Sequence, residues 1–330
     1  MDGSSGSDAT PLHHAKGRFQ SPPSPHPDGR HSKRMLQVLW ELFRQGNRPV
    51  PVPASHCLER AEALRQLTAH QTVESLTWLG HACFLIRVAG LSILTDPFLS
   101  ERASPFRFSG PRRLVPTPLR LDDLPPLDLI LMSHNHYDHL DAPTLRALAR
   151  RQPQVQVVAP LGLTPLLASL GLNKVQELDW YQHTEVNGVR IVALPGYHFS
   201  GRTLWDENQT LWAGFGVHAP GRRLFFAGDT GYGPEFRRVG ERTGPYDVAL
   251  VPIGAYGPPE VFAAVHASPE EAVKMGEDVG AAHLVGMHWG TIRLTTEPFM
   301  EPAERFLAAP STVARSLMAI GETRDLQTFA

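Results

Sequence analysis

The stretch Ser133-His134-Asn135-His136-Tyr137-Asp138-His139-Leu140 gathers three histidines and one aspartate into six positions. Imidazoles are costly to bury without partners, so a chain that crowds them has a use for them. The preceding residues, Leu127-Asp128-Leu129-Ile130-Leu131-Met132, form a short apolar run behind Pro125-Pro126, which predicts a buried strand. The polar cluster therefore begins where a core strand ends, a usual place to assemble a site. His134 and His136 are two residues apart, and in a loop leaving a strand both rings can converge on one cation. Asp138 and His139 can turn towards a second point nearby. Two cations about 3.5–4 Å apart can share a hydroxide and polarise an oxyanion. Nitrogen and carboxylate donors suit zinc, and iron or manganese also fit.

The same placement recurs three times downstream. His198 follows Val189-Arg190-Ile191-Val192-Ala193-Leu194-Pro195, Asp229 follows Leu224-Phe225-Phe226-Ala227-Gly228, and His288 follows Leu284-Val285-Gly286-Met287. Each is a polar residue behind an apolar strand, and a carboxylate at Asp229 can bridge two ions. His81 and His283 also lie at strand ends, but a lone strand-end histidine is expected to be a hydrogen-bonded structural residue. Asp96, in Leu94-Thr95-Asp96-Pro97, reads either as a turn residue or as a group that orients a ligand imidazole from behind.

Across the 330 residues the formal charge is −2 and 42% of residues are hydrophobic, enough for a substantial core and no footprint for general nucleic-acid binding. Sixteen histidines point towards metal chemistry, although His13-His14 lies in a tag-like tail. Two cysteines, Cys57 and Cys83, are too few for a disulfide framework and are expected as free thiols in a reducing compartment, Cys83 on a strand. The N-terminus lacks signal-peptide regions and no apolar run is long enough to span a bilayer. The expectation is a cytoplasmic protein, soluble or peripheral to a membrane.

Residues 1–34, rich in Ser, Gly, Pro and His, predict a disordered tail. Residues 35–69 form a helical extension in which Leu36, Leu39, Trp40 and Phe43 recur at helical spacing. That stripe is expected to pack on the domain, with a membrane-surface contact as the alternative. From residue 70 onward strands and helices mix: a hairpin at Ala89-Gly90, a helix from Thr144 to Arg150, and a helix with Ser268 as N-cap and Pro269 in its first turn. Two β-rich halves result.

At its motifs the chain resembles the metallo-β-lactamase superfamily, whose signature is the His-x-His-x-Asp-His run. Trp78-Leu79-Gly80-His81, Leu94-Thr95-Asp96-Pro97-Phe98, Gly110-Pro111-Arg112-Arg113, Glu177-Leu178-Asp179-Trp180, Phe225-Phe226-Ala227-Gly228-Asp229-Thr230, Pro252-Ile253-Gly254-Ala255-Tyr256 and His288-Trp289-Gly290-Thr291 follow in order. Together they resemble the N-acylphosphatidylethanolamine-hydrolysing phospholipase D family from about residue 70 to near the C-terminus. The resemblance implies an α/β fold, the αββα sandwich of two mixed β-sheets flanked by helices, with two zinc ions at one edge. It implies that His134, His136 and His198 bind one zinc, that Asp138, His139 and His288 bind the other, and that Asp229 bridges them; a carboxylate so placed is also expected to accept the proton of the attacking water. It also implies His266 near the substrate phosphate, although Ser268 stands where an aspartate is expected; the alternative is a solvent-facing histidine. Arg112 and Arg113 are weak candidates for meeting a phosphate and read more readily as a solvated surface pair; Leu36, Trp40 and Phe43 are weak candidates for a lipid entrance. The implied reaction splits a phospholipid phosphodiester into phosphatidic acid and an N-acylethanolamine, in a homodimer. The rivals are a lactonase or soluble phosphodiesterase on the same scaffold, and a non-catalytic metal-binding interaction protein.

Overall fold

A computed structural model describes residues 11–45, 48–106 and 108–329. The run before the histidine cluster is the strand Leu129–Leu131, an interior strand of a seven-stranded sheet. Leu129 and Leu131 enter the core shared by two sheets, while Ile130 faces a second core made with helices. A strand buried on both faces has no polar side to show, hence its unbroken apolar sequence.

This sheet runs in the order Thr323–Asp325, Ser75–Trp78, Phe84–Val88, Leu91–Thr95, Leu129–Leu131, Gln156–Pro160, Val175–Leu178. Its hairpin turns at Ala89 and Gly90, both at positive φ (48° and 79°), as the right-handed twist of a two-residue connection requires. The second seven-stranded sheet runs Ala314–Ser316, Ala281–Met287, Tyr246–Pro252, Arg222–Phe226, Gly214–Ala219, Val189–Leu194, His183–Val186. Helices Arg60–Ala69, Ala142–Arg151 and Thr164–Ser169 cover the outer face of the first sheet through Ala63, Leu67, Leu145, Leu148 and Leu167. Helices Glu235–Thr243, Pro269–Asp278 and Glu301–Ala308 cover the second through Phe236, Val273 and Phe306. The layers are helix, sheet, sheet, helix, the αββα sandwich.

Strand direction puts the site at one edge. Leu91–Thr95 and Leu129–Leu131 are parallel, and Ser75–Trp78, two antiparallel steps away, runs the same way. Arg222–Phe226, Tyr246–Pro252 and Ala281–Met287 are parallel, and Val189–Leu194 shares their direction through two antiparallel pairings. The loops carrying His81, Asp96 and His134–His139 therefore leave one side of the first sheet, and those carrying His198, Asp229 and His288 leave one side of the second.

The N-terminal expectations need adjustment. Residues 1–10 of the expected disordered tail lie outside the described residues. Residues 11–34 form a strap laid on the domain, with a short hairpin pairing His14–Ala15 with Arg18–Phe19. It lacks an apolar core of its own, but its polar side chains find fixed partners: His26 bonds Glu271 at 2.8 Å and Arg30 reaches Glu207 at 3.4 Å. Helix Lys33–Gln45 does not bury its apolar stripe. Val38 faces inward, while Leu36, Leu39, Trp40 and Phe43 are exposed, Phe43 at 89%. The helix is tethered instead by polar contacts, Arg34 to Glu260 at 3.3 Å and Arg293 to the Gln45 carbonyl at 2.8 Å. Helix Arg60–Ala69, grouped by sequence with the extension, contributes Ala63 and Leu67 to the domain core. Both cysteines are free thiols, and Cys83 sits one residue before its strand rather than on it.

Candidate metal centre

Seven side chains from four loops meet at this edge. His134 Nε2 lies 2.8 Å from His136 Nδ1, and His198 Nε2 lies 3.2 Å from the same nitrogen. A second group forms beside them: Asp138 Oδ2 lies 3.4 Å from His139 Nε2 and 3.5 Å from His288 Nε2. Asp229 Oδ2 spans the two, at 3.1 Å from His139 Nε2, 3.0 Å from His288 Nε2 and 3.8 Å from His198 Nε2. Donors held about 2.0–2.1 Å from a tetrahedral ion are separated by roughly 3.3 Å, so the spacings suit two cations.

Groups behind the donors set their orientation. The fully buried Asp96 carboxylate is 2.6 Å from His139 Nδ1, accepts the Ser133 N–H at 2.7 Å and the Ser133 hydroxyl at 2.5 Å. That hydroxyl is in turn 2.8 Å from His134 Nδ1. Of the two readings of Asp96, the geometry favours the orienting one. His198 Nδ1 donates to the Val265 carbonyl at 3.0 Å, leaving Nε2 to face inward. Arg202 braces the motif loop by donating to the Asn135 and Leu140 carbonyls at 2.6 and 2.9 Å. Gly228 has a reason to be glycine: its φ is +61°, and a Cβ there would come within 2.8 Å of the Ser133 Cβ.

The electrostatics call for cations. Burial holds His134 and His198 well below the usual imidazole range and His136 at about 4, so these rings are neutral donors. For His139, burial is outweighed by the Asp229 and Asp138 carboxylates, which hold it well above its usual range; the same contest leaves His288 at about 9. Three buried carboxylates, Asp96, Asp138 and Asp229, thus face two imidazoliums, whose inward-facing protons divalent cations would displace. His139 Nε2 and His288 Nε2 lie close to Asp229 Oδ2 without the alignment of a hydrogen bond, and His288 Nδ1 and Asp229 Oδ1 are buried without a hydrogen-bond partner. Native proteins rarely leave such atoms unpaired, and a metal pair would satisfy this donor set.

Other residues from the sequence fall differently. His266 lies against the centre, its ring 5.1 Å from His198 and 5.5 Å from His288, buried and with Nδ1 unpartnered. Ser268 is the N-cap of helix Pro269–Asp278 in a reciprocal capping box with Glu271. Arg112 pairs with Glu101 at 2.7 Å on the surface. Arg113 is not a solvated surface arginine: it is buried, donating to the Phe98 and Leu79 carbonyls, and anchors the loop before His81. His283 bonds Ser316 at 3.0 Å, away from the centre. His81, expected to be structural, stands inside it, with Nε2 2.9 Å from Asp138 Oδ2. Its only sequence signal is the Gly80-His81 turn after a strand. Arg30 carries no sequence signal of a site residue, yet its guanidinium sits 3.8 Å over the Phe199 ring, beside His198.

A family model for the β-lactamase superfamily domain matches residues 92–289. An uncharacterized protein of Mycobacterium tuberculosis (strain ATCC 25618 / H37Rv) is 41% identical over 281 residues, 82% of this chain and 72% of that protein. N-acyl-phosphatidylethanolamine-hydrolyzing phospholipase D 1 of Caenorhabditis elegans is 42% identical over 240 residues, 69% of this chain and 67% of that one. Among solved structures, isothiocyanate hydrolase from Delia radicum gut bacteria superposes with a TM-score of 0.59 at 24% identity, covering 76% of this chain and 98% of that one, which supports the fold. The chain belongs to the metallo-β-lactamase superfamily of metal-dependent hydrolases, in the branch that holds the N-acyl-phosphatidylethanolamine-hydrolyzing phospholipases D.

Proposed function

We propose that this protein is a phospholipase D that hydrolyses N-acylphosphatidylethanolamine to phosphatidic acid and an N-acylethanolamine. The observation that carries the reading is Asp229, one carboxylate facing both histidine groups at 3.0–3.8 Å, in a chain 42% identical to a named N-acylphosphatidylethanolamine hydrolase. His134, His136 and His198 would hold one zinc and Asp138, His139 and His288 the other, with Asp229 between them. Bound there, the ion pair supplies Lewis acidity towards the phosphate oxygens and acidifies water to a nucleophile near neutral pH.

The remaining roles fall to the chain's own groups. Asp229 Oδ1, unpartnered, orients the attacking water and takes its proton, which passes to the ethanolamine oxygen as that oxygen's bond to phosphorus breaks. Burial keeps His266 neutral, at about 3, so it meets the phosphate as an N–H donor rather than as a charged acid. The lipid would be reached through the exposed apolar residues Leu36, Trp40 and Phe43, with Leu204 and Trp205 on the loop after His198. Large exposed apolar groups of this kind suit an interfacial contact. Among the described residues no helix is long and apolar enough to cross a membrane.

The test compares purified protein on micellar N-acylphosphatidylethanolamine, a soluble nitrophenyl phosphodiester and a lactone, each with the wild type and Asp229→Asn. The expected result is preference for the lipid and loss of at least ~100-fold in kcat on substitution, with the fold kept. Preference for the lactone, or full activity of the variant at saturating zinc, overturns the reading.

A further inference from the structure

The adjacent histidines His13 and His14 take no part in the centre described above, yet both meet one carboxylate of the domain. His13 Nε2 lies 2.6 Å from Asp179 Oδ1, and His14 Nε2 lies 2.9 Å from Asp179 Oδ2. Neighbouring residues of an extended strand point to opposite sides. Here a turn, closed by the His14 N–H on the Pro11 carbonyl at 2.9 Å, brings the rings to 4.5 Å of each other. The carboxylate is itself held: the Trp180 N–H donates to Oδ1 at 2.7 Å, and the Asp179 N–H donates to Gln182 Oε1 at 3.0 Å. His13 stacks on the Trp180 indole at 4.2 Å, which fixes its ring. The three side chains are 13%, 29% and 12% exposed, open enough for an ion to enter.

Two imidazoles and a carboxylate, with donor atoms within 4.8 Å of one another, are a zinc-type donor set. The separations resemble those among the donors of the main centre, which run from 2.8 to 3.8 Å. The cluster borders a surface cleft of about 640 Å³, from which water can complete a tetrahedral shell.

We propose that His13, His14 and Asp179 form a third divalent-cation site, of the zinc class, that clasps the N-terminal strap to the catalytic domain. The clasp matters because the strap runs on to the main centre. The Ser21 hydroxyl donates to the His198 carbonyl at 2.7 Å, and Arg30 covers Phe199. A cation bound by His13, His14 and Asp179 therefore fixes the start of a segment that forms one wall of the catalytic edge. The proposal does not depend on which substrate that edge serves.

The test strips the full-length protein with a chelator and titrates zinc against a chromogenic indicator, in the wild type and in His13→Ala/His14→Ala, with Asp179→Asn as a second variant. The wild type is expected to take up one equivalent of zinc more than either variant. Zinc should also slow tryptic cleavage after Lys16 and Arg18 at least ~10-fold in the wild type and leave the histidine variant unprotected. Equal zinc stoichiometry in the wild type and the histidine variant, or a tryptic rate that ignores zinc, overturns the proposal. The equivalents retained by the histidine variant report the main centre separately, so failure at one site is distinguishable from failure at the other.

Discussion

Replacing Asp96 with asparagine tests how the centre is oriented. The Asp96 carboxylate touches no donor atom that faces the ions, yet it controls one imidazole in each group. It holds His139 Nδ1 directly at 2.6 Å, and through the Ser133 hydroxyl, 2.5 Å away, it holds His134. Asparagine keeps the size but sets an amide donor either against the Ser133 N–H or against His139 Nδ1 and the Ser133 hydroxyl, which share one oxygen, so either orientation creates a repulsive contact behind both imidazoles. Loss of such a backing partner typically costs 10–100-fold in metal affinity, or about 1.4–2.8 kcal/mol. Because both groups are touched, the expected loss for Asp96→Asn is that amount at each ion. Ser133→Ala breaks only the relay to His134 and should weaken one ion, by about 10-fold. The assay is competition of each purified variant against a zinc chelator of known affinity, with circular dichroism to show that the fold persists. Wild-type affinity at both ions in Asp96→Asn would refute the reasoning, as would equal losses in the two variants.

Further outcomes follow from other parts of the molecule. With the metals stripped, His288 has a pKa of about 9, above the ~6.5 of an unfolded histidine; its stabilisation is complete below ~6.5 and is lost as pH rises through 9. The melting temperature of chelated protein should therefore fall over that window while loaded protein changes less; a rise in the chelated protein would contradict the assignment. Arg113→Met strands the Phe98 and Leu79 carbonyls, each worth about 1–3 kcal/mol when left unpaired, so its urea midpoint should drop clearly; an unchanged midpoint would show that the buried guanidinium is dispensable. Replacing Leu36, Trp40 and Phe43 together with serine removes apolar groups worth up to about 1.5–3 kcal/mol each on full burial. Vesicle co-sedimentation should fall at least ~10-fold while a soluble diester is still turned over; undiminished sedimentation would remove this helix from the lipid contact.

Much of the fold and centre was legible because both obey local rules. An unbroken Leu129-Ile130-Leu131 run marks a strand covered on both faces, and shared strand direction then carries every strand-end polar residue to one edge. His134, His198, Asp229 and His288 could be picked out because each follows such a strand. The N-terminal strap was not legible: its contacts, His13 to Asp179 and His26 to Glu271, join residues more than 150 positions apart through single polar pairs that leave no periodic trace. Arg113 misled for a related reason, since two neighbouring arginines look alike until tertiary structure closes carbonyls around one of them. Helix Lys33–Gln45 showed its apolar stripe correctly, but a stripe does not say whether it turns inward or out. His81 was undervalued because a lone strand-end histidine carries no signal of the aspartate waiting 57 positions later.

The most direct measurement runs the zinc-loaded enzyme on N-acylphosphatidylethanolamine in ¹⁸O-labelled water and weighs both products by mass spectrometry. Attack at phosphorus places one heavy oxygen in phosphatidic acid and none in the N-acylethanolamine. Label in the N-acylethanolamine, release of free fatty acid in place of these products, or no turnover with both ions bound would contradict the account.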